Sequence, residues 1–186
     1  MFLSKNKKSV SDPSARVSGL ASPDSVHRVG AADSAVPSDL PGWSNLGRVQ
    51  VLRRNFAAAA QCFAEAVAID PRYADGWHNL GTALKKLGER DGAFDALKRA
   101  LLIDPTRAET YLNLGNLLID ADQLDDAVEC FERAAKHDPM LAAARTRLAQ
   151  QLSSRGKVRR AETLFRQAVG LDPDHRVAVE LLEVAR

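Results

Sequence analysis

Aromatic residues make up only 5% of this 186-residue chain, and cysteine occurs just twice. So few cysteines exclude a scaffold built on disulfides. No apolar run approaches the roughly 20 residues that a bilayer-crossing helix needs, so a membrane span is not expected. Charge of one sign is also missing: the net charge is +2 with 27% charged residues. That balance argues against nucleic acid or an anionic membrane as the partner. The chain begins Met1-Phe2-Leu3-Ser4-Lys5, but no apolar core follows, so export by a secretory leader is not expected.

Motifs of catalysis are lacking as well. There is no HExxH, no Cys-x-x-Cys, no phosphate-binding glycine loop and no GxSxG. His27, His78, His137 and His175 are scattered, without a second ligand one helical turn away, so no metal and no cofactor is expected. His78 reads as an exposed spectator or a lone groove contact. Asp125 and Asp126 read as turn acids, and the chain as a non-enzyme.

What the chain does have is a period. Shifting residues 74–107 by 34 positions either way returns the same spacing. Trp77, Leu80, Gly81, Ala93, Leu97, Ala100 and Pro105 map forward onto Tyr111, Leu114, Gly115, Ala127, Phe131, Ala134 and Pro139. One further step gives Arg145, Leu148, Ala149, Ala161, Phe165, Ala168 and Pro173, and one step back gives Trp43, Leu46, Gly47, Ala59, Phe63, Ala66 and Pro71. A period of this length marks stacked units that cannot bury their apolar faces alone.

At these residues the sequence resembles the tetratricopeptide repeat (TPR) family over about 40–175. The resemblance implies an all-α, right-handed α-α superhelix. We expect four helix hairpins, 40–73, 74–107, 108–141 and 142–175, with a capping helix at 176–186. Each second helix ends at an Asp-Pro pair, because proline cannot continue the preceding helix. Gly88 and Gly156 ease the turn inside two hairpins, with Arg54 and Asp122 at the matching positions. Cys62 and Cys130 lie two repeats apart, hence about 16 Å or more at usual helix spacings, and are expected as packed thiols. A reducing, cytoplasmic location fits them.

Residues 1–39 are rich in Ser, Ala, Pro and Asp and are expected to be disordered, either a solvated tail or a segment that folds on a partner. At the other end Leu182-Glu183 stands where the repeat has Leu-Gly. Val177, Leu181 and Val184 there allow two readings, packing on the fourth hairpin or weak self-association.

The column just before the Leu-Gly pair bears on function: Asn45, Asn79, Asn113, then Arg147. A carboxamide both donates and accepts, so a row of them can pair with the backbone of an extended peptide whatever its side chains. The row resembles the asparagine ladder in the TPR region of the O-linked N-acetylglucosamine transferases, whose catalytic half is absent here. The competing reading is a set of plain polar surface positions. Arg48, His78, Thr82 and Asn116, with Ser44, Asp75, Lys86, Glu109, Asp120 and Gln150, fall on the same wall by the same arithmetic. Both signs occur among them, and the carboxylate-clamp pattern of chaperone adaptors is only partly present, with Ala143 where a lysine is needed.

Turn charges alternate too. Arg53, Arg54, Lys85, Lys86 and Arg90 mark the first two hairpins. Asp120, Asp122, Asp125 and Asp126 mark the third, and Arg155, Lys157, Arg159 and Arg160 the fourth. They are either solvated edges or a steering stripe. The leading expectation is a non-catalytic scaffold holding an extended protein or peptide segment in its concave groove. The alternatives are a regulatory or substrate-delivery subunit of a separately encoded enzyme such as a glycosyltransferase, and a secretion chaperone. RNA binding is disfavoured by the missing basic stripe.

Overall fold

The computed structural model describes residues 37–172, 174 and 178–181; the tail expected at 1–39 lies outside them up to residue 36. Eight long helices follow one another: α1 Leu40–Leu52, α2 Phe56–Ile69, α3 Ala74–Leu87, α4 Arg90–Ile103, α5 Ala108–Asp120, α6 Leu124–His137, α7 Ala142–Ser154 and α8 Val158–Leu171. A short helical piece at 178–181 follows. The chain divides into two compact units, Met1–Pro105 and Thr106–Arg186. In the first, α2 packs against both α1 and α3, and α3 against α4; in the second, α6 packs against both α5 and α7, and α7 against α8.

Small side chains make this packing possible. The two alanine columns of the second helices, Ala59, Ala93, Ala127 and Ala161 with Ala66, Ala100, Ala134 and Ala168, are all fully buried. Phe63, Leu97, Phe131 and Phe165 fill the space between, none more than 2% exposed. Opposite them the glycine column lets the backbone come close. A Cβ at Gly47 would meet the Phe63 ring at 2.7 Å, and one at Gly115 the Phe131 ring at 2.5 Å. Ala149 holds that place in the fourth hairpin, itself fully buried.

Turns repeat as regularly as the core. Within hairpins the chain passes through left-handed backbone at Arg54, Gly88, Asp122 and Gly156, with φ of 58°, 83°, 58° and 74°. Between hairpins the aspartate of each Asp-Pro pair is extended, and in three of the four its side chain helps to form the turn. The carboxylates of Asp70 and Asp138 accept the N–H two residues on, from Arg72 at 2.8 Å and Met140 at 2.9 Å. Asp172 accepts from Asp174 at 3.2 Å. Each is a local turn that completes what the proline begins. At the chain's start Asp39, assigned to the tail by composition, instead caps α1 by accepting from Gly42 N–H at 3.0 Å. Asn55 caps α2 the same way, from Ala58 at 3.2 Å.

The expected cap helix is represented by 178–181. Ala178 is buried in a cluster with Ala142 and Ala168, so this piece packs on the fourth hairpin. Leu181 is half-buried. Val177 and Val184, the other members of the self-association reading, lie outside the described residues.

One core column breaks its own rule. Leu84, Leu118 and Leu152 occupy it in hairpins two to four, at 1%, 1% and 2% exposure, but the first hairpin has Gln50, also at 2%. The Nε2 of Gln50 has no hydrogen-bond partner among the described residues. A buried, unpaired amide costs about 1–3 kcal/mol. Gln50→Leu is therefore expected to stabilise the protein by about that amount, read as a higher urea midpoint at unchanged m-value.

Candidate functional site

In the second and fourth hairpins the large residue that opens the first helix anchors it to the preceding turn. Trp77 Nε1 donates to the carbonyl of Pro71 at 2.9 Å, and in the fourth hairpin Arg145 Nη1 donates to the equivalent carbonyl of Pro139. This anchoring fixes which faces of the first helices are covered. In α3, Trp77 (2% exposed), His78 (7%) and Leu80 (0%) are buried, while Asn79 between them stays half-exposed. In α7, Arg147 is exposed between buried Thr146 and Leu148. Asn45 is exposed in α1, and Asn113 is partly exposed in α5.

Asn45 and Asn79 thus share the first unit, and Asn113 and Arg147 the second. Arg147 donates to Gln150 Oε1 at 3.1 Å, so its guanidinium is already oriented by its own helix. Arg48 is exposed, Asn116 and Thr82 half-buried, and the Thr82 hydroxyl donates to the His78 carbonyl at 3.0 Å.

Two expected wall positions are corrected. His78 is buried, which overturns its reading as an exposed spectator, and Ser44 is buried too. Ser44 Oγ lies 3.0 Å from Tyr73 Oη, a hydroxyl pair beneath the first hairpin. The reason is positional. Residues 44, 78, 112 and 146 form one repeat column, and Thr146 is likewise buried with its hydroxyl donating to Ala142 O at 3.1 Å. Small or apolar residues elsewhere in that column were the available signal.

A second feature escapes the sequence reading because its partners are far apart in the chain. Arg99 lies over the Trp77 ring, 4.7 Å from its centroid. One period later Arg133 lies over Tyr111 at 5.9 Å. His137 stacks on the same Tyr111 ring at 5.7 Å and 6°. The Arg133 guanidinium is held more firmly protonated, first by its hydrogen bond with Tyr111 and then by Glu129 at 2.6 Å. The offset of 22 residues recurs in both hairpins, so the cation–aromatic pair is itself a repeat feature.

The alternating turn charges prove partly structural. Arg155 meets Asp125 at 2.7 Å, and Arg160 meets Glu132 at 3.3 Å, so bases of the fourth hairpin pair with acids of the third. Such exposed pairs contribute at most about 1 kcal/mol each. Among the described residues no group of three or more His, Cys, Asp and Glu side chains could hold a metal ion, and no helix is long and apolar enough to cross a membrane.

Paired helices with a small-residue seam, an anchored large residue and a proline turn at a constant period define a class of helical-hairpin repeat. Tetratricopeptide repeat models match residues 44–108 and 84–151, together more than half of the 186-residue chain. The chain belongs to the tetratricopeptide repeat family. No curated protein matches it. Among solved structures it is similar to the crystal structure of MamA protein, at TM-score 0.69 and 21% identity over 78% of this chain and 80% of that one. It is also similar to MamA 41-end from Desulfovibrio magneticus RS-1, at TM-score 0.70 and 18% identity over 81% and 85%. The crystal structure of YrrB, described as a TPR protein with an unusual peptide-binding site, matches at TM-score 0.66 and 20% identity over 95% and 94%. At these identities the likenesses establish the fold, an α-α solenoid of helical hairpins.

Both cysteines are buried free thiols. Burial, the largest influence on each, pushes Cys62 up to about 11 and Cys130 up to about 12. Since the thiolate is the reactive form, both should stay protonated and unlabelled by iodoacetamide at pH 8 in the folded protein. In urea both should label; fast labelling of either thiol in the native protein would contradict this packing.

Proposed function

We propose that this chain is a non-catalytic scaffold that binds an extended peptide segment of another protein along the wall formed by its first helices. The observation that carries the reading is one shared pattern of exposure. In every hairpin the residue just before the Leu and Gly/Ala pair, both members buried in hairpins two to four, keeps access to solvent, and in three of four it is asparagine. A carboxamide in that position can donate to a peptide carbonyl and accept from a peptide N–H, which suits backbone recognition. The likeness of this column to the ladder of O-linked N-acetylglucosamine transferase repeats, and the peptide-binding site in the description of YrrB, support the same reading. A cytoplasmic setting and the buried, unpaired thiols are compatible with it.

Affinity of this kind is spread over many weak contacts, so single changes matter less than paired ones. A ligand selected from a random peptide library would serve as probe. The double variant Asn79→Ala, Asn113→Ala should bind it about tenfold more weakly, as expected for two lost hydrogen bonds, with helicity unchanged by circular dichroism. Undiminished affinity would remove the asparagines from the binding wall.

A further inference from the structure

Among the described residues, one surface of the first helix is left without a packing partner. Asn45, Arg48, Val49 and Leu52 recur at steps of three and four and so form one stripe of α1. It faces away from the side that buries Trp43, Gly47 and Gln50. Leu52 is 84% exposed, the most of any large hydrophobic residue described, and Val49 joins it at 40%. An isolated exposed leucine is ordinary, whereas Leu52 has Val49 one turn before it on the same stripe, beside Arg48. In the second hairpin the column of Val49 holds Ala83, 1% exposed, and that of Leu52 holds Lys86. There α2 comes before α3 and packs on it, whereas no described helix precedes α1.

Charge says what kind of surface would cover the patch. α1 contains no Asp or Glu, and Arg48, Arg53 and Arg54 are exposed with no ion-pair partner among the described residues. The guanidiniums of Arg48, Arg53 and Arg54 therefore flank the two aliphatic side chains of the stripe within seven residues. We propose that this stripe docks a segment of a partner protein in which carboxylates alternate with bulky apolar side chains. The inference rests on the scaffold reading above and narrows its ligand. Carboxylates suit the planar forks of the arginines, and aliphatic groups exclude water from Val49 and Leu52. Asn45, at the N-terminal end of the stripe, can take a backbone amide of the same segment. A nucleic acid would satisfy the guanidiniums but leave the aliphatic patch uncovered.

The test uses the full chain and a short fluorescent peptide alternating Glu and Leu, followed by anisotropy. Control peptides carry Lys for Glu, or Ser for Leu. The Glu–Leu peptide should bind at least tenfold more tightly than either control. Leu52→Ser should weaken it about tenfold, the worth of one covered leucine. The triple variant R48E/R53E/R54E should reverse the preference toward the Lys–Leu peptide. All four positions are exposed, so circular dichroism should be unchanged. Equal binding of the three peptides, or full affinity retained by either variant, would overturn the proposal. So would competition by an oligonucleotide that Leu52→Ser does not affect, or a wild-type dimer that Leu52→Ser dissolves, which would assign the patch to a second copy. If the Glu–Leu peptide fails while the Asn79/Asn113 variant still weakens a library-selected ligand, this inference falls and the scaffold reading stands. If both fail, the scaffold reading falls with it.

Discussion

The contact between a ring or leucine on the second helix and a residue with little or no side chain on the first governs the rest of this molecule. Phe63 against Gly47, Leu97 against Gly81 and Phe131 against Gly115 set how closely each pair of helices approaches. Because that distance is short, the alanine columns can close completely, and the large residue at the head of the first helix is carried onto the preceding turn. Trp77 and Arg145, so different in chemistry, both end on a proline carbonyl there. Geometry, more than residue type, is what this position transmits. The surface left to the first helices for recognition is whatever these constraints do not consume.

The fourth hairpin shows how much latitude the contact tolerates. Ala149 stands where glycine does elsewhere, and Phe165 remains 2% exposed. The added methyl group leaves both residues buried, as expected when overpacking costs can be relieved by small shifts. At the opposite end Gln50 fills a leucine column without finding a partner for its amide. Departures from the pattern gather in the first and fourth hairpins, while the middle two carry the cation–aromatic pairs. Each hairpin contributes to one fold by slightly different means.

Most of the architecture was legible in the sequence because a period of 34 overdetermines it. Each column recurs several times over, so the helix pairs, the Asp-Pro turns and the turn positions of Arg54 and Asp122 could be placed from the sequence, while their left-handed backbone could not. The exposure of the first helices was only half legible. Asn45, Asn79 and Arg147 keep the accessibility expected of them, but His78 and Ser44 do not. Their column is covered by neighbours whose reach depends on side-chain direction, which periodicity alone cannot supply. The pairing of Arg99 with Trp77 and of Arg133 with Tyr111 was hidden for a related reason. Its members belong to different helices, and nothing in the spacing of either helix alone connects them. The carboxylates of Asp70, Asp138 and Asp172 were overlooked because proline already sufficed to explain the turn.

The bridges from Arg155 to Asp125 and from Arg160 to Glu132 give the hairpins an identity beyond their shared template. Acidic residues crowd the third unit of the array and basic residues the fourth, so the two are matched as neighbours. Duplicating either one beside itself would bring like charges face to face. Recombination among near-identical segments, the easiest route by which such arrays lengthen and shorten, is therefore not neutral at this junction. The order of the modules is written into their electrostatics.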